Sequence, residues 1–377
     1  MKIHVLVAIF FIVFFSCKQN PAKDNPDEID MAKFADGLHH WELFTTDTSY
    51  PRYSIDNYVA IANNIVSYQN EDGGWPKNVD LLAKVDIDSL KSTFIGRACE
   101  STFDNDNTHP QIEFLAKMYL NTGNDIYMQS AEKGLHYILN TQNKSGGWRG
   151  WDVDAITYND DVTTGILNLI LDIKENKPFY NWINDSLKNK LLESFDKGLD
   201  VTLKCQIKVN GIKKGWCQQH DHNTLGPIKA RSYELPSVAS KETVQIVQML
   251  MRIENPSKEI IEAIEAAVTW LQESGIENLR IEKIKIPRDT YPGQNLDIDR
   301  IAVIDSTAKT IWARFYEIED NTPMFCTRAG QKVYSLAEVN PERRGGYGWY
   351  GYWPEELLDS IYPDWIKSRK IKSEEYH

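Results

Sequence analysis

The apolar positions of this chain recur at helical spacing, and turns with paired glycines interrupt them. Between residues 58 and 68 an apolar side chain stands at every third or fourth position, as on one face of an amphipathic helix. The same spacing returns in several later segments, at 112–120, 135–139, 163–173, 244–251, 260–271 and 307–316. Strand-like alternation is sparse. The pattern therefore predicts an all-α protein.

A motif that ends in Gly-Gly-Trp follows two of these helical segments. It runs from Gln69 to Trp75 and again from Gln142 to Trp148, and a looser copy runs from Gln206 to Trp216. Paired glycines end helices in turns, and repeated helix–turn–helix units bury a continuous core by stacking on one another. We predict an α/α toroid (an incomplete α/α barrel) with long rim loops and little β structure. A plain helical bundle with purely structural turns is the alternative.

The N-terminus has the features of an export signal. A short basic start leads into an apolar stretch from Val5 to Phe15, too short to span a bilayer, and small Ser16 precedes Cys17. We predict a lipoprotein signal peptide at 1–16, a flexible tether at 17–40 and a single large domain at 41–377. An ordinary signal peptide that is cleaved nearby is the alternative. We thus expect an outer-membrane lipoprotein, facing the periplasm or the cell surface, whose only membrane contact is a lipid on Cys17.

Composition limits the partners. With 42% hydrophobic and 11% aromatic residues the chain can bury a large core, and its net charge of −12 argues against nucleic acid or an anionic membrane surface. An anionic polysaccharide remains compatible if arginines cluster locally and a bound cation screens the carboxylates. The missing Cys-x-x-Cys spacing argues against a zinc site. Cys205 and Cys217 are close enough in sequence to close a short disulfide loop, which the sequence alone does not decide.

Two acidic clusters stand just ahead of predicted helices. The first contains Asp104 and Asn105, and the second contains Asp160 and Asp161. Calcium takes about six to eight oxygen ligands of this kind. Helix N-capping is the alternative for each cluster taken alone. Because both clusters occupy matching points of a repeat, we favour one shared metal site.

Arginines and aromatic residues gather in the C-terminal half. Arg231 lies in the segment Ala230–Ser237, Arg314 in Trp312–Tyr316, and Arg328 in a later loop. Guanidinium groups suit planar carboxylates, and aromatic faces suit sugar rings. His220 lies in an adjacent loop with Trp and Gln neighbours, where a sugar-binding role and a structural role remain open. Arg314 is equally open to being an ion-paired residue without substrate contact.

Taken in order, these segments resemble the family 10 polysaccharide lyases, which are pectate lyases. The resemblance extends from about residue 55 to residue 353. The segments that carry it are Gln69–Pro76, Phe103–Asn105, Ile156–Asp161, Trp216–Asp221, Ala230–Ser237, Trp312–Tyr316 and Glu342–Tyr347. The chain departs from the family pattern at Arg149, where proline is usual, and at Ala329, where aspartate is expected after Arg328.

The resemblance implies an enzyme that cleaves α-1,4-linked polygalacturonate or pectin oligosaccharides by calcium-dependent anti-β-elimination with an arginine base, releasing unsaturated oligogalacturonides. The implied calcium and substrate ligands are Asp104, Asn105 and one or both of Asp160 and Asp161. The implied catalytic residues are Arg328, as first candidate for the base, and Arg314, as a carboxylate binder. The implied substrate-binding residues are Arg231, Asp104, Asn105, Trp75, Trp148 and His220. We expect a monomer.

Two other functions are compatible with the same residues. A glycoside hydrolase acting on a uronate-containing glycan needs two carboxylates that flank the scissile bond, which Asp104 and Asp160 or Asp161 can imitate. A non-catalytic surface glycan-binding lipoprotein would explain the aromatic loops. It gives no reason for acidic clusters beside arginines.

Overall fold

The computed structural model describes residues 29–44, 49–287, 290 and 297–375. The predicted signal peptide, Cys17 and the predicted tether up to residue 28 lie outside these residues. Helices dominate the described part. They are α1 (Ala35–Phe44), α2 (Tyr58–Tyr68), α3 (Ile87–Lys91), α4 (His109–Thr122), α5 (Asp125–Thr141), α6 (Val162–Lys174), α7 (Asp185–Cys205), α8 (Ser240–Met251), α9 (Lys258–Glu273), α10 (Pro341–Gly346), α11 (Trp353–Glu356) and α12 (Tyr362–Glu375).

The strands are short and form small antiparallel sheets. They are β1 (Ile156–Thr157), β2 (Lys208–Val209), β3 (Ile212–Lys213), β4 (Gln219–His220), β5 (Val238–Ala239), β6 (Leu279–Lys285), β7 (Ile298–Ile304), β8 (Trp312–Ala313), β9 (Phe315–Tyr316), β10 (Pro323–Cys326), β11 (Lys332–Val333) and β12 (Tyr350–Gly351). Among the helices that the structure describes, none is both long and apolar enough to cross a bilayer.

The helices form two layers. In the inner layer α4 packs on α6 and α6 packs on α8, and in the outer layer α5 packs on α7 and α7 on α9. Each inner helix is followed by its outer partner, and α2 packs against the first pair. The arrangement confirms the predicted α/α toroid. The predicted helix at 307–316 is wrong, because its end forms β8 and β9 with apolar side chains buried on both faces.

Each Gly-Gly-Trp turn is tied to the next outer helix by one glutamine. Gln69, Gln142 and Gln206 stand at the C-terminal ends of α2, α5 and α7. Each side-chain amide donates to a carbonyl of its own turn and to a carbonyl of the following outer helix. The accepting pairs, all at 2.8 Å, are Gly73 with Ser130, Gly146 with Ser194, and Lys214 with Ala263. The looser copy at Gln206 is therefore a true member of the repeat.

The tryptophan of each turn lies in the core. Trp75, Trp148 and Trp216 are 0% exposed, and each indole N–H donates to a backbone carbonyl at 2.7 to 2.9 Å. Fully buried rings with a satisfied N–H present no face to a sugar. The prediction that Trp75 and Trp148 bind substrate is therefore wrong for this conformation, and their role is packing.

The cysteines of the described chain are free thiols, including Cys205 and Cys217, so the short disulfide loop does not form. Burial raises the pKa of the Cys205 thiol to about 12 and also raises that of Cys217. Both thiols are therefore protonated and unreactive at neutral pH.

We expect Gly146→Ala to destabilise the fold strongly. Gly146 has a φ of +101°, and a Cβ at this position would lie 2.4 Å from the carbonyl oxygen of Lys197. The backbone strain alone costs on the order of 1–3 kcal/mol, and the clash with α7 adds to it. Gly211 is the matched control, because it has a φ of +86° and a Cβ added there would have no atom within 4 Å.

The free energy of unfolding of both variants is measured by urea denaturation. Gly146→Ala should lose clearly more stability than Gly211→Ala. Equal losses would show that the close approach of the turn to α7 does not matter.

Candidate active site

The candidate site lies at the N-terminal ends of the inner helices. One loop precedes α4, a second precedes α6, and both are braced in the same way. The hydroxyl of Thr108 donates to the carbonyl of Thr102, and the hydroxyl of Thr163 donates to the carbonyl of Thr157, each at 2.7 Å. The shared brace shows that the two acidic clusters occupy equivalent places in the repeat.

The acidic residues of these loops do not cap the helices that follow. Outer helices α5, α7 and α9 carry side-chain caps from Asn124, Asn184 and Ser257. Within the described chain, the residues that precede α4 and α6 make no side-chain cap, and both have positive φ. The capping alternative is therefore wrong for these helices, and the loop carboxylates are available for other partners.

Asp104 is buried beside a lysine. Its carboxylate pairs with the ammonium group of Lys77, which also lies 4.4 Å from the centre of the Trp151 ring. Burial raises the pKa of Asp104 to about 6, and Asp160 adds to the rise while Lys77 opposes it. The position therefore carries negative charge that its surroundings compensate only in part.

Asp160 faces the same region from the second loop. The backbone N–H of Asp106 donates to the Asp160 carbonyl at 3.3 Å, which links the loops, and the Asn159 amide donates to the Asp160 carboxylate at 2.7 Å. Burial acts to raise the pKa of Asp160, but Arg314 and Arg231 outweigh it and hold that pKa below its ordinary value. Asp160 is therefore ionised at neutral pH and interacts with both arginines.

Asp161 belongs to a different group of side chains. Its carboxylate lies with Asp106 and His109, whose ligand atoms are all within 4.8 Å of one another, and it accepts from the Thr164 hydroxyl at 2.5 Å. Burial raises the pKa of Asp106 to about 7 and that of Asp161 as well, and burial lowers the pKa of His109 to about 3. The predicted metal ligands therefore belong to two different places: Asp104 and Asp160 interact with each other, and Asp161 lies with Asp106 and His109.

Arg314 is a buried, ion-paired cation. Its Nη2 donates to Glu242 at 2.5 Å, and Glu242 also accepts from the Gln218 amide at 2.8 Å. The guanidinium carbon lies 4.9 Å from the ring centre of Tyr347. Burial acts to lower the pKa of Arg314, but Glu242 outweighs it and raises that pKa above its ordinary value. Arg314 is therefore held in its charged form.

Arg231 is anchored at one end only. Its Nη2 donates to Glu234 at 2.5 Å, and its Nε, which has no hydrogen-bond partner in the described structure, lies 3.7 Å from Asp152. Burial acts to lower the pKa of Arg231, but Glu234 outweighs it and raises that pKa. The guanidinium group can therefore bind a further carboxylate in addition to Asp160, by donating hydrogen bonds to it.

Arg328 is the most exposed of the three arginines. Its side chain is 57% exposed, and its Nε lies 4.0 Å from Glu342. Its backbone carbonyl accepts from the Ser232 hydroxyl at 2.8 Å, which places its loop next to Arg231. The structure thus brings the loops of Arg231 and Arg328 together.

His220 is a core residue. It is 0% exposed, its Nε2 accepts from the backbone N–H of Cys217 at 3.0 Å, and its Nδ1 pairs with the Leu225 carbonyl at 2.9 Å. The predicted contact of His220 with substrate is therefore wrong in this conformation. Asn105 remains at the site, where its amide donates to Asn78 at 2.8 Å.

Several residues of the site were not predicted from the sequence. They are Lys77, Trp151, Asp152, Glu234 and Glu242, of which Lys77 stands two positions after Trp75 at the end of the first turn. The paired glycines could have indicated Lys77, because residues that directly follow such a turn lie at the same rim of the toroid as the turn itself. Glu242 gives none, because it lies in the first turn of α8, where an acidic residue is ordinary.

The comparisons with solved structures identify the class of protein. A family 10 polysaccharide lyase from Cellvibrio cellulosa is 25% identical over 89% of this chain and 97% of its own, with a TM-score of 0.66. An alanine mutant of a family 10 polysaccharide lyase from the same organism, in complex with trigalacturonic acid, is 27% identical over 80% of this chain and 91% of its own, also with a TM-score of 0.66. Fold and site together define a polysaccharide lyase of the toroidal type.

The family model for pectic acid lyases matches residues 69–358. The chain belongs to this family. The predictions of a pectate lyase enzyme and of a family 10 polysaccharide lyase are thereby confirmed. A comparison with curated protein sequences found no significant match.

The raised pKa of Asp106 predicts a pH-dependent stability. The folded carboxyl has a pKa of about 7 against an ordinary value of 3.8, so the folded state binds more protons between these values. The free energy of unfolding should therefore fall as pH rises from about 4 to about 7. In Asp106→Asn this decline should be smaller.

Urea denaturation in EDTA at both ends of this range measures the effect. The exposed Asp196 in α7 serves as control, because Asp196→Asn should leave the decline unchanged. A decline in Asp106→Asn as steep as in the parent protein would contradict the assignment.

Proposed function

We propose that this enzyme cleaves polygalacturonate by calcium-assisted anti-β-elimination with an arginine as base. The observation that carries the proposal is the pairing of two charge types at one site. Asp104 and Asp160 lie in equivalent loops and interact electrostatically, and Arg314 and Arg231 act on Asp160. The relative bound to trigalacturonic acid supports the same substrate class for this chain.

The residues of the site suit a calcium ion. Calcium prefers carboxylate and amide oxygens, and Asp104 and Asp160 supply such oxygens at a place where negative charge is incompletely compensated. We propose these two residues as protein ligands, with Asn105 beside them, and leave Asp161 out of the set. When bound, calcium would neutralise the carboxylate of the sugar.

The arginines would perform two different tasks in the reaction. The base removes the proton on C5 of galacturonate, the electron pair forms the C4–C5 double bond, and the bond from C4 to the glycosidic oxygen breaks. Negative charge develops on the carboxylate beside C5 during this step, and fixed cations stabilise it. Arg314, which Glu242 holds in its charged form, fits that second task.

Arg328 remains our first candidate for the base. Its ion pair is the weakest of the three, with 4.0 Å to Glu342 against 2.5 Å for the pairs of Arg231 and Arg314. Its guanidinium group can therefore contact the substrate without first breaking a short ion pair. Arg231 is the alternative base, because it interacts with Asp160 of the second acidic loop and its Nε makes no hydrogen bond in the described structure.

We expect chelation to abolish activity. Polygalacturonate treated with the enzyme should gain the ultraviolet absorbance of an unsaturated uronate, EDTA should remove this gain, and calcium should restore it, while magnesium should not. Reducing ends that form without ultraviolet absorbance would indicate hydrolysis instead. Binding of polygalacturonate with no cleavage under any of these conditions would indicate a glycan-binding protein.

Substitution of the base should lower turnover more than substrate binding. General base catalysis contributes about 10²–10⁴-fold, so Arg328→Ala should reduce kcat by at least about 100-fold with a nearly unchanged KM. The parent activity should rise from neutral to alkaline pH, because arginine has a pKa above about 12. Arg280→Ala serves as control, because the Arg280 side chain pairs with Glu282 and Asp305 and with no residue of the site.

Arg231→Ala and Arg314→Ala complete the series, and Arg314→Ala should also raise KM. If Arg328→Ala retains near-normal turnover and Arg231→Ala shows the loss in kcat, the base is Arg231. An activity maximum near pH 5 would contradict any arginine base.

We also propose that the enzyme is exported and anchored by a lipid on Cys17, and that it acts as a monomer at the periplasmic or cell-surface side of the outer membrane. The proposal is supported by the apolar stretch from Val5 to Phe15 and by Ser16 ahead of Cys17. Cys17→Ser should move the protein from the membrane fraction to the soluble fraction. Membrane retention of this variant would contradict the lipid anchor.

A further inference from the structure

A second polar cavity lies between the three inner helices, apart from the arginine-lined site. Its volume is about 660 Å³, and side chains of α4, α6 and α8 line it together with Lys33. At one end it contains Asp106, His109 and Asp161, and farther along it contains Asp172, which pairs with Arg252 at 2.6 Å. The mechanism proposed above uses no side chain of this cavity.

Asp106, His109 and Asp161 converge although they come from different loops. Asp106 lies in the loop before α4, His109 is the first residue of α4, and Asp161 directly precedes α6. One imidazole nitrogen and one oxygen from each carboxylate lie within 4.8 Å of one another. Three ligand atoms at such separations surround a space of the size of one ion.

A buried histidine with one unpartnered ring nitrogen supports the same conclusion independently, although its side chain also has a hydrogen bond to the backbone of Asp161. His109 is 8% exposed, and its Nε2 has no hydrogen-bond partner among the described residues. The ring occupies a place that only glycine at position 165 leaves open, since a Cβ there would lie 2.4 Å from Nε2. A second buried orphan in the same cavity is the side-chain oxygen of Gln245. Buried polar atoms without a partner require a ligand or an ordered water.

We propose that Asp106, His109 and Asp161 form a binding site for one divalent transition-metal ion of the zinc type, distinct from the calcium site at Asp104 and Asp160. Imidazole nitrogen favours such ions over calcium, which prefers an all-oxygen shell of about six to eight ligands. Zinc binds nitrogen and carboxylate oxygen at about 2.0–2.2 Å, so the three atoms need only a small contraction around the ion. Water from the open cavity completes the coordination.

The ion would stabilise the two loops that carry the calcium ligands. Asp106 already bonds through its backbone to Asp160, and Asp161 is the next residue along the chain. A metal held between α4 and α6 therefore fixes the spacing of both loops and compensates two buried carboxylates. The inference does not depend on the proposed elimination reaction, because binding is measured without substrate.

The test titrates Zn²⁺ alone into EDTA-stripped full-length protein by calorimetry, with metal content confirmed by mass spectrometry after dialysis. We expect one Zn²⁺ per chain, an affinity at least about ten-fold weaker in His109→Gln and in Asp161→Asn, and no change in Asp172→Asn, the matched control in the same cavity. Millimolar calcium should not displace the ion. Bound Co²⁺ should give a visible d–d absorption that His109→Gln loses.

Circular dichroism checks that each variant folds. His109→Gln and Asp161→Asn test two ligands separately, so if one variant misfolds, Zn²⁺ binding by the other still tests the proposal. Equal Zn²⁺ binding by the parent protein and by a folded ligand variant would overturn the proposal, as would the absence of stoichiometric binding in the parent protein. If the parent protein binds one Zn²⁺ but shows no calcium-dependent lyase activity, the proposed reaction is contradicted and the Zn²⁺ site is not.

Discussion

The arrangement of the site depends on the compensation of buried negative charge. Carboxylates that leave water without a partner carry a large free-energy cost, which a protein lowers by protonation, by ion pairs or by a bound cation. The first two solutions occur here. Asp160 relies on two arginines, Asp104 relies on Lys77 only in part, and Asp106 holds its proton up to about pH 7. A site of this kind is prepared for a cation because ion binding relieves a cost that folding has already imposed.

The toroid makes this arrangement possible by separating stability from function. The outer helices are capped by their own side chains and joined by glutamines such as Gln142, which bonds both its own turn and the next outer helix. The inner helices begin without such caps, so the residues before them are free to face the rim. Because the same turn geometry is repeated, the two acidic loops lie at equivalent positions at the N-terminal ends of α4 and α6. One ion or one sugar carboxylate can therefore contact both loops.

Much of the fold could be predicted from the sequence, because its signals are local. The helical spacing and the Gln to Gly-Gly-Trp motif act within one helix and one turn, and they identified even the loose copy at Trp216. The assignment of side chains to surface or core failed where the motif itself was ambiguous. A tryptophan after paired glycines can either stack on a sugar ring or pack in the core. The neighbouring outer helix buries Trp75 and Trp148, and that helix lies outside the local sequence of the motif.

The site shows the same limit at a finer scale. Asp160 and Asp161 are adjacent in sequence, but both have positive φ, at 52° and 54°, and one carboxylate joins the arginines while the other joins His109. No spacing rule separates such neighbours, since the division arises from backbone conformation. For the same reason, the absence of a Cys-x-x-Cys motif excluded only one kind of transition-metal site. The toroid brings together ligands from two loops of the repeat, such as His109 and Asp161. The spacing of these residues along the chain does not predict that they are close in space.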